Sequence, residues 1–219
     1  SYLNKVEKLI YLGSSCIYPT NIKNPITEDL ILNGSLEPTN QWYALAKISG
    51  MKICEAYRKQ FGCNFITLLP SNLYGPGDNF HKQNSHVPAA LIDRFHFAKK
   101  KQEKTVLVWG SGKPLREFLF VDDMAEACIF LAESYNSNEP INVGTGKEIS
   151  IKEFAQLIKK TTSYKGKIIF DKTKPDGIYR KLLNVKKINK LGWIAKTTIE
   201  IGLKKYYKWY LDNLDKIRR

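Results

Sequence analysis

Nowhere do the 219 residues contain a strand, a Gly-x-Gly-x-x-Gly turn and a helix in succession. Such a turn lets the backbone approach a pyrophosphate closely, so this stretch has no means of gripping the adenosine half of a dinucleotide. Gly110-Ser111-Gly112 and Gly144-Thr145-Gly146 come nearest. The first lacks a third glycine, the second lies far along the chain, and both are weak matches to a phosphate loop. Cysteine is scarce too: Cys16, Cys54, Cys63 and Cys128 show no Cys-x-x-Cys spacing and fall below the density of a secreted disulfide scaffold. They are expected to be reduced thiols. No uninterrupted apolar stretch reaches a membrane span, and Ser1-Tyr2-Leu3-Asn4-Lys5 lacks a signal-peptide core. A soluble, cytoplasmic protein with no membrane partner is the expectation.

Arginine is rare. Of 35 basic residues only Arg58, Arg94, Arg116, Arg180, Arg218 and Arg219 are arginine, within a net charge of +14. The charge is scattered, and the densest runs, Lys99-Lys100-Lys101 and Lys204-Lys205, read as solvated helix ends or faces. No nucleic-acid partner is expected, although a positive field also attracts an anionic nucleotide. Metal-ligand spacing is missing as well. Asp122 and Asp123 have no histidine or further carboxylate beside them at a ligating interval, so they read as caps of the helix that follows.

What is present is a core-forming composition, 43% hydrophobic, in an α/β pattern. Leu9–Gly13 reads as a buried parallel strand, and 19–40 as irregular. Thr39 or Asn40 is expected to cap a long helix that stops at Gly62, and 64–69 is the next strand, closing a strand–helix–strand crossover. The spacing then predicts a helix over 87–99, strands at 106–109 and 118–121, and a helix over 124–133. A strand at 140–143, a helix over 151–161, a strand at 167–170 and a terminal helix from 198 to about 217 follow.

Tyr43 and Lys47 stand four apart on the first helix, hence on one face. A phenol is a poor proton donor or acceptor near pH 7, and a neighbouring ammonium favours its ionised form. Ser14, just past the first strand, is placed to donate to a carbonyl oxygen. The same pair also suits an ordinary amphipathic face with Tyr packed and Lys solvated. Likewise Cys16 suits a small buried hydrophobe.

The three residues resemble the Ser…Tyr-x-x-x-Lys set of the extended short-chain dehydrogenase/reductases. Further strings narrow the resemblance to the GDP-L-fucose synthase family. They include Gly13-Ser14-Ser15-Cys16-Ile17-Tyr18-Pro19, Asn72-Leu73-Tyr74-Gly75-Pro76, Asn84-Ser85-His86-Val87, Val108-Trp109-Gly110-Ser111-Gly112, Arg116-Glu117-Phe118 and Lys174-Pro175-Asp176-Gly177. Their order spans the chain, and the family's early strands and glycine turn are not among them. The resemblance therefore implies the later strands of a Rossmann-type doubly wound parallel sheet with a smaller α/β substrate-binding lobe. Residues 1–80 would carry the NADP-binding half and 81–219 mainly the GDP-sugar lobe, with 118–145 returning to the sheet.

The implied activity is NADPH-dependent 3,5-epimerisation and 4-keto reduction of GDP-4-keto-6-deoxy-D-mannose to GDP-L-fucose, by a homodimer. By resemblance Cys16 and His86 exchange protons at the carbons beside the ketone, Ser14 and Tyr43 serve its oxygen, and Lys47 holds the nicotinamide ribose. NADP(H) would lie against Ser14, Ser15, Tyr43, Lys47, Pro70, Ser71, Asn72, Leu73 and His86. The nucleotide-sugar would meet Arg94, Trp109, Arg116, Asp176 and Lys181. His81 and His96 compete with His86 but fall outside the matching string. On residues alone Arg94 also suits a surface salt bridge, Trp109 core packing and 70–73 a plain strand exit. Two other activities remain open. A 4,6-dehydratase is disfavoured because Ser15 and Cys16 stand where its carboxylates would be, and a plain 4-epimerase needs no Cys16–His86 pair. A catalytically silent piece that relies on a partner for the first half is the alternative from another class.

Overall fold

The computed structural model describes residues 1–82 and 84–217. Its strands are β1 (Lys8–Leu12), β2 (Asn64–Pro70), β3 (Asn72–Tyr74), β4 (Thr105–Trp109), β5 (Leu115–Arg116), β6 (Phe118–Phe120), β7 (Ile141–Val143), β8 (Ile149–Ser150), β9 (Lys167–Asp171) and β10 (Arg180–Lys181). The helices are α1 (Gln41–Phe61), α2 (Val87–Lys100), α3 (Val121–Ser134), α4 (Ile151–Thr162), α5 (Lys186–Lys190) and α6 (Ile199–Asp212). The chain divides into two compact units. The first joins Ser1–Asn72, Asp122–Lys147 and Lys181–Ala195; the second joins Leu73–Val121, Glu148–Arg180 and Lys196–Arg219.

In the first unit a parallel sheet runs in the order β1-β2-β7, with Leu9 opposite Phe65 and Leu69 opposite Asn142. Parallel neighbours require a crossover, and α1 supplies the one between β1 and β2. This is the Rossmann-type α/β arrangement. From Phe65 to Pro70 every residue of β2 is buried, as expected for a central strand covered on both faces. α1 buries Ala44, Ile48, Met51 and Cys54, at intervals of four, three and three, so one stripe faces the sheet. It stops at Gly62, whose φ of +69° gives the left-handed C-terminal turn that glycine adopts without strain. Asn40 occupies the cap position at its start but makes no side-chain cap bond.

The second unit is built on the parallel pair β4 and β9, with α2, α4 and α6 packed around a shared core. Aromatic residues dominate that core. Phe118 stacks on Phe154 at 4.2 Å, Phe80 meets Tyr210 at 5.0 Å, and Phe95 lies edge-on to Tyr164 at 5.5 Å. Ser150 and Glu153 form a capping box at the start of α4, which fixes where that helix begins. α6 ends at Asp212, earlier than its apolar spacing suggested.

One expectation about α3 is corrected. Asp122 and Asp123 lie inside the first turn of α3, which begins at Val121, so they are not its caps. Carboxylates there complement the positive end of the helix dipole.

Candidate functional site

The loop after β1 is shaped by two small residues. Gly13 donates its N–H to Leu68 O at 2.8 Å, and a Cβ there would stand 2.6 Å from Leu69 Cδ2, so the chain leaves the sheet hugging β2. Ser14 is extended and caps the one-turn helix Ser15–Ile17, its Oγ accepting from Cys16 N–H at 3.1 Å. That bond uses a lone pair and leaves the hydroxyl proton to be donated. Ser15 is buried, Cys16 half-buried, and all four cysteines are free thiols. Behind the loop lies a buried polar knot. Tyr18 donates to Asn142 Oδ1 at 2.7 Å, and Asn142 donates through Nδ2 to Ile26 O at 2.9 Å and through its backbone to Glu28 Oε1, also at 2.9 Å. Burial and the nearby Glu28 push the Tyr18 phenol well above its usual range, so it stays a neutral donor.

α1 brings Tyr43 and Lys47 together. Lys47 Nζ sits 5.6 Å from the centre of the Tyr43 ring and 5.5 Å from that of Tyr11, and donates to Leu12 O at 2.8 Å. The cation is thereby pinned to the strand end two residues before Ser14. Tyr43 itself is 47% exposed. Sequence reasoning missed Tyr11. The available signal was Gly50, a glycine inside a helical pattern: a Cβ there would collide with the Tyr11 ring, so glycine lets β1 and α1 close under Lys47.

At the carboxyl end of β2, Pro70 and Ser71 are buried and Asn72 half-buried. Ser71 N–H donates to Val143 O at 2.9 Å, but its buried Oγ has no partner among the described residues. An orphaned hydroxyl in a buried strand exit is a ready contact for a ligand amide. Lys181 also belongs to this unit and is half-buried.

The second unit holds Leu73, His86, Arg94, Trp109, Arg116 and Asp176. His86 is exposed at the cap position of α2, with no side-chain cap bond. The loop before it is tied down where Tyr206 donates to Asp78 Oδ2 at 2.9 Å; burial raises the Asp78 carboxyl. His96 instead contacts Tyr207 Oη at 3.0 Å in the helix packing, a structural place. Trp109, 60% exposed at the end of β4, carries two cations over its ring, Arg94 at 5.8 Å and Lys174 at 5.5 Å. Arg94 also donates to Leu107 O, which holds it along β4 rather than in a surface ion pair. Burial lowers the pKa of both Arg94 and Arg116, with Asp176 opposing it at Arg116. An exposed indole beside guanidinium and ammonium groups can stack a base and neutralise phosphates. Among the described residues no His, Cys, Asp and Glu group could hold a metal ion, and no helix is long and apolar enough to cross a membrane.

The chain is 53% identical over 98% of its length to a protein of Arabidopsis thaliana named putative GDP-L-fucose synthase 2. It is 49% identical over its whole length to the GDP-L-fucose synthase of Escherichia coli K12. It spans 65% of the first relative and 71% of the second. Among solved structures, a GDP-L-fucose synthetase from Naegleria fowleri bound to NADP superimposes with a TM-score of 0.95 at 33% identity, covering all of this chain and 70% of that one. The family model for the NAD dependent epimerase/dehydratase family matches residues 2–144, and the chain belongs to that family.

Proposed function

We propose that the protein takes part in converting GDP-4-keto-6-deoxy-D-mannose to GDP-L-fucose, inverting carbons 3 and 5 and reducing the carbon-4 ketone with NADPH. One observation carries the reading: Lys47 is pinned to the end of β1 against Tyr43, on the same strand exit that presents Ser14 and Cys16. Identity near 50% to the Arabidopsis and E. coli GDP-L-fucose synthases supports it.

Epimerisation beside a ketone needs the carbonyl oxygen stabilised while a neighbouring carbon loses its proton. Ser14 and Tyr43 donate to that oxygen and stabilise the enolate. Cys16 and His86 are assigned to removing the proton from one face and returning one to the other, at carbon 5 and carbon 3 in turn. NADPH, when bound, supplies the hydride for carbon 4. Tyr43 then protonates the resulting alkoxide, and Lys47 is assigned to holding the nicotinamide ribose. The orphaned Ser71 hydroxyl fits this assignment, since Pro70, Ser71, Asn72 and Leu73 would line the nicotinamide end with Ser15. Trp109, Arg94, Arg116, Asp176 and Lys181 are assigned to the GDP moiety.

The test is to supply GDP-4-keto-6-deoxy-D-mannose and NADPH in heavy water and read the product by NMR. GDP-L-fucose with deuterium at carbons 3 and 5 is expected. Reduction without deuterium at either carbon would reject the epimerase part. We further assign the protein to the cytoplasm, where its four free thiols persist. A homodimer is supported by Trp42, Leu45 and Ile53, 75, 45 and 57% exposed on one face of α1; a monomeric mass by light scattering would remove it.

A further inference from the structure

Gly110-Ser111-Gly112 has the composition of a phosphate loop, yet its polar atoms are already engaged within the chain. Ser111 N–H donates to Asp176 Oδ1 at 2.6 Å, and Ser111 Oγ–H donates to Asp176 Oδ2 at 2.7 Å. Lys113 N–H donates to Ser111 Oγ at 3.1 Å, which orients the hydroxyl so that its own proton points to the carboxylate. Gly110 has a φ of +84°, and a Cβ there would overlap Asp176 Oδ1. Glycine at 110 is therefore what allows the carboxylate to seat. The two Ser111 bonds hold the Asp176 carboxyl below the usual carboxylate range, with the Lys113 and Arg116 charges adding to them.

Arg116 is a neighbour of this seat. Its Nη2 lies 3.6 Å from the place a Cβ on Gly177 would occupy, and its charge is felt at Asp176. Nevertheless Asp176 and Arg116 make no ion pair among the described residues. Arg116 Nη1 donates to Leu115 O at 2.8 Å, and the other donors of the guanidinium have no hydrogen-bond partner among the described residues. Opposite charges this close pair readily unless something else satisfies one of them.

We propose that Ser111 is a positioning residue that seats the Asp176 carboxylate in the Gly110–Gly112 loop and so keeps it off Arg116, leaving that guanidinium for the diphosphate of a nucleotide. The inference rests on the nucleotide-sugar reading of this unit. Without the Ser111 hydroxyl, Asp176 retains a single amide bond and turns to Arg116, and the diphosphate must then compete with an internal carboxylate.

The experiment titrates the purified protein with inorganic pyrophosphate, which has the charge of the diphosphate but neither base nor sugar. Ser111→Ala is expected to weaken binding about fivefold, the order of one partly exposed ion pair. Ser111→Thr, which keeps the hydroxyl, is expected to bind like the wild type. Adding Asp176→Asn to Ser111→Ala should restore the affinity for pyrophosphate, though not for GDP, because a neutral amide does not sequester a guanidinium and pyrophosphate has no base or ribose for Asp176 to meet. Isotope-edited NMR of the Arg116 side chain in ligand-free protein supplies a second readout: its signals should move in Ser111→Ala and not in Ser111→Thr. Wild-type affinity in Ser111→Ala, or no recovery in the double variant, would overturn the proposal. If the wild type binds neither pyrophosphate nor GDP, the nucleotide reading fails. The Arg116 signals then decide the role of Ser111 alone, with movement in Ser111→Ala supporting it and no movement overturning it.

Discussion

The proposed acid–base assignment turns on how Lys47 is held. Its ammonium is shared between two tyrosine rings and a main-chain carbonyl, so it is fixed in place with no acidic partner among the described residues. A cation held this way stands beside the Tyr43 hydroxyl that the proposal assigns to the ketone oxygen. Tyr43→Phe removes one hydroxyl and little contact area. We expect it to lower ketone reduction by about 10²–10⁴-fold with GDP-sugar binding nearly intact, as for loss of a positioned acid. Steady-state rates alongside calorimetric binding check this, and a variant reducing at the wild-type rate would remove Tyr43 from the chemistry. Cys16→Ser and His86→Gln divide the reaction differently. Both should lose deuterium uptake at carbons 3 and 5 while hydride transfer persists, giving GDP-sugars of the wrong configuration, since Ser14, Tyr43 and Lys47 are untouched. Normal labelling and normal product in both would leave Cys16 a packed thiol. These candidate residues can be named from the sequence because their strings are short and local. Tyr11, Asn142 and the Ser111–Asp176 bond were not, because each depends on a contact between segments far apart in the chain.

At the scale of elements, legibility followed the strength of the local signal. α1 carried a clear apolar stripe and a glycine stop, and the structure ends it at Gly62 as expected. α2, α4, β2 and β4 likewise fall within a residue or so of their expected bounds. β3 did not announce itself: Asn72–Tyr74 reads as a loop among prolines and glycines, and its strand character comes from pairing with β6. α6 was overread because apolar residues continue past Asp212 and still pack on the core as Leu214 and Ile217 without helical geometry. The Gly110–Gly112 loop tests element packing directly. Gly112 has a φ of +77°, and a Cβ there would stand 2.5 Å from the Phe170 ring. Left-handed backbone costs a non-glycine residue about 1–2 kcal/mol, and overpacking adds about 1–3 kcal/mol. Gly112→Ala should therefore destabilise the second unit by at least ~2 kcal/mol, seen as a lower urea midpoint followed by the fluorescence of its tryptophans. An unchanged midpoint would mean that Phe170 swings away freely.

For the whole molecule, the 219 residues divide the work of holding a dinucleotide unevenly. The first unit carries the residues assigned to the nicotinamide end, among them Ser14, Tyr43, Lys47 and the unpartnered Ser71 hydroxyl. Nothing in the sequence forms the glycine turn that meets a pyrophosphate, and the loop most like one, at Gly110, is filled by Asp176. A net charge of +14 attracts phosphates without orienting them, so it raises encounter more than it replaces a fitted turn. In a dinucleotide fold the pyrophosphate is held by the backbone amides and helix N-terminus of such a turn. Calorimetric titration of the 219-residue chain with NADPH should accordingly give weak binding that fades further as salt screens the charge. GDP, four of whose five assigned contacts, Arg94, Trp109, Arg116 and Asp176, lie within the second unit, should bind the same chain more tightly and with less salt dependence. Micromolar or tighter NADPH affinity that survives salt would show that the strand exits grip the cofactor without a glycine turn, and would overturn this division of labour.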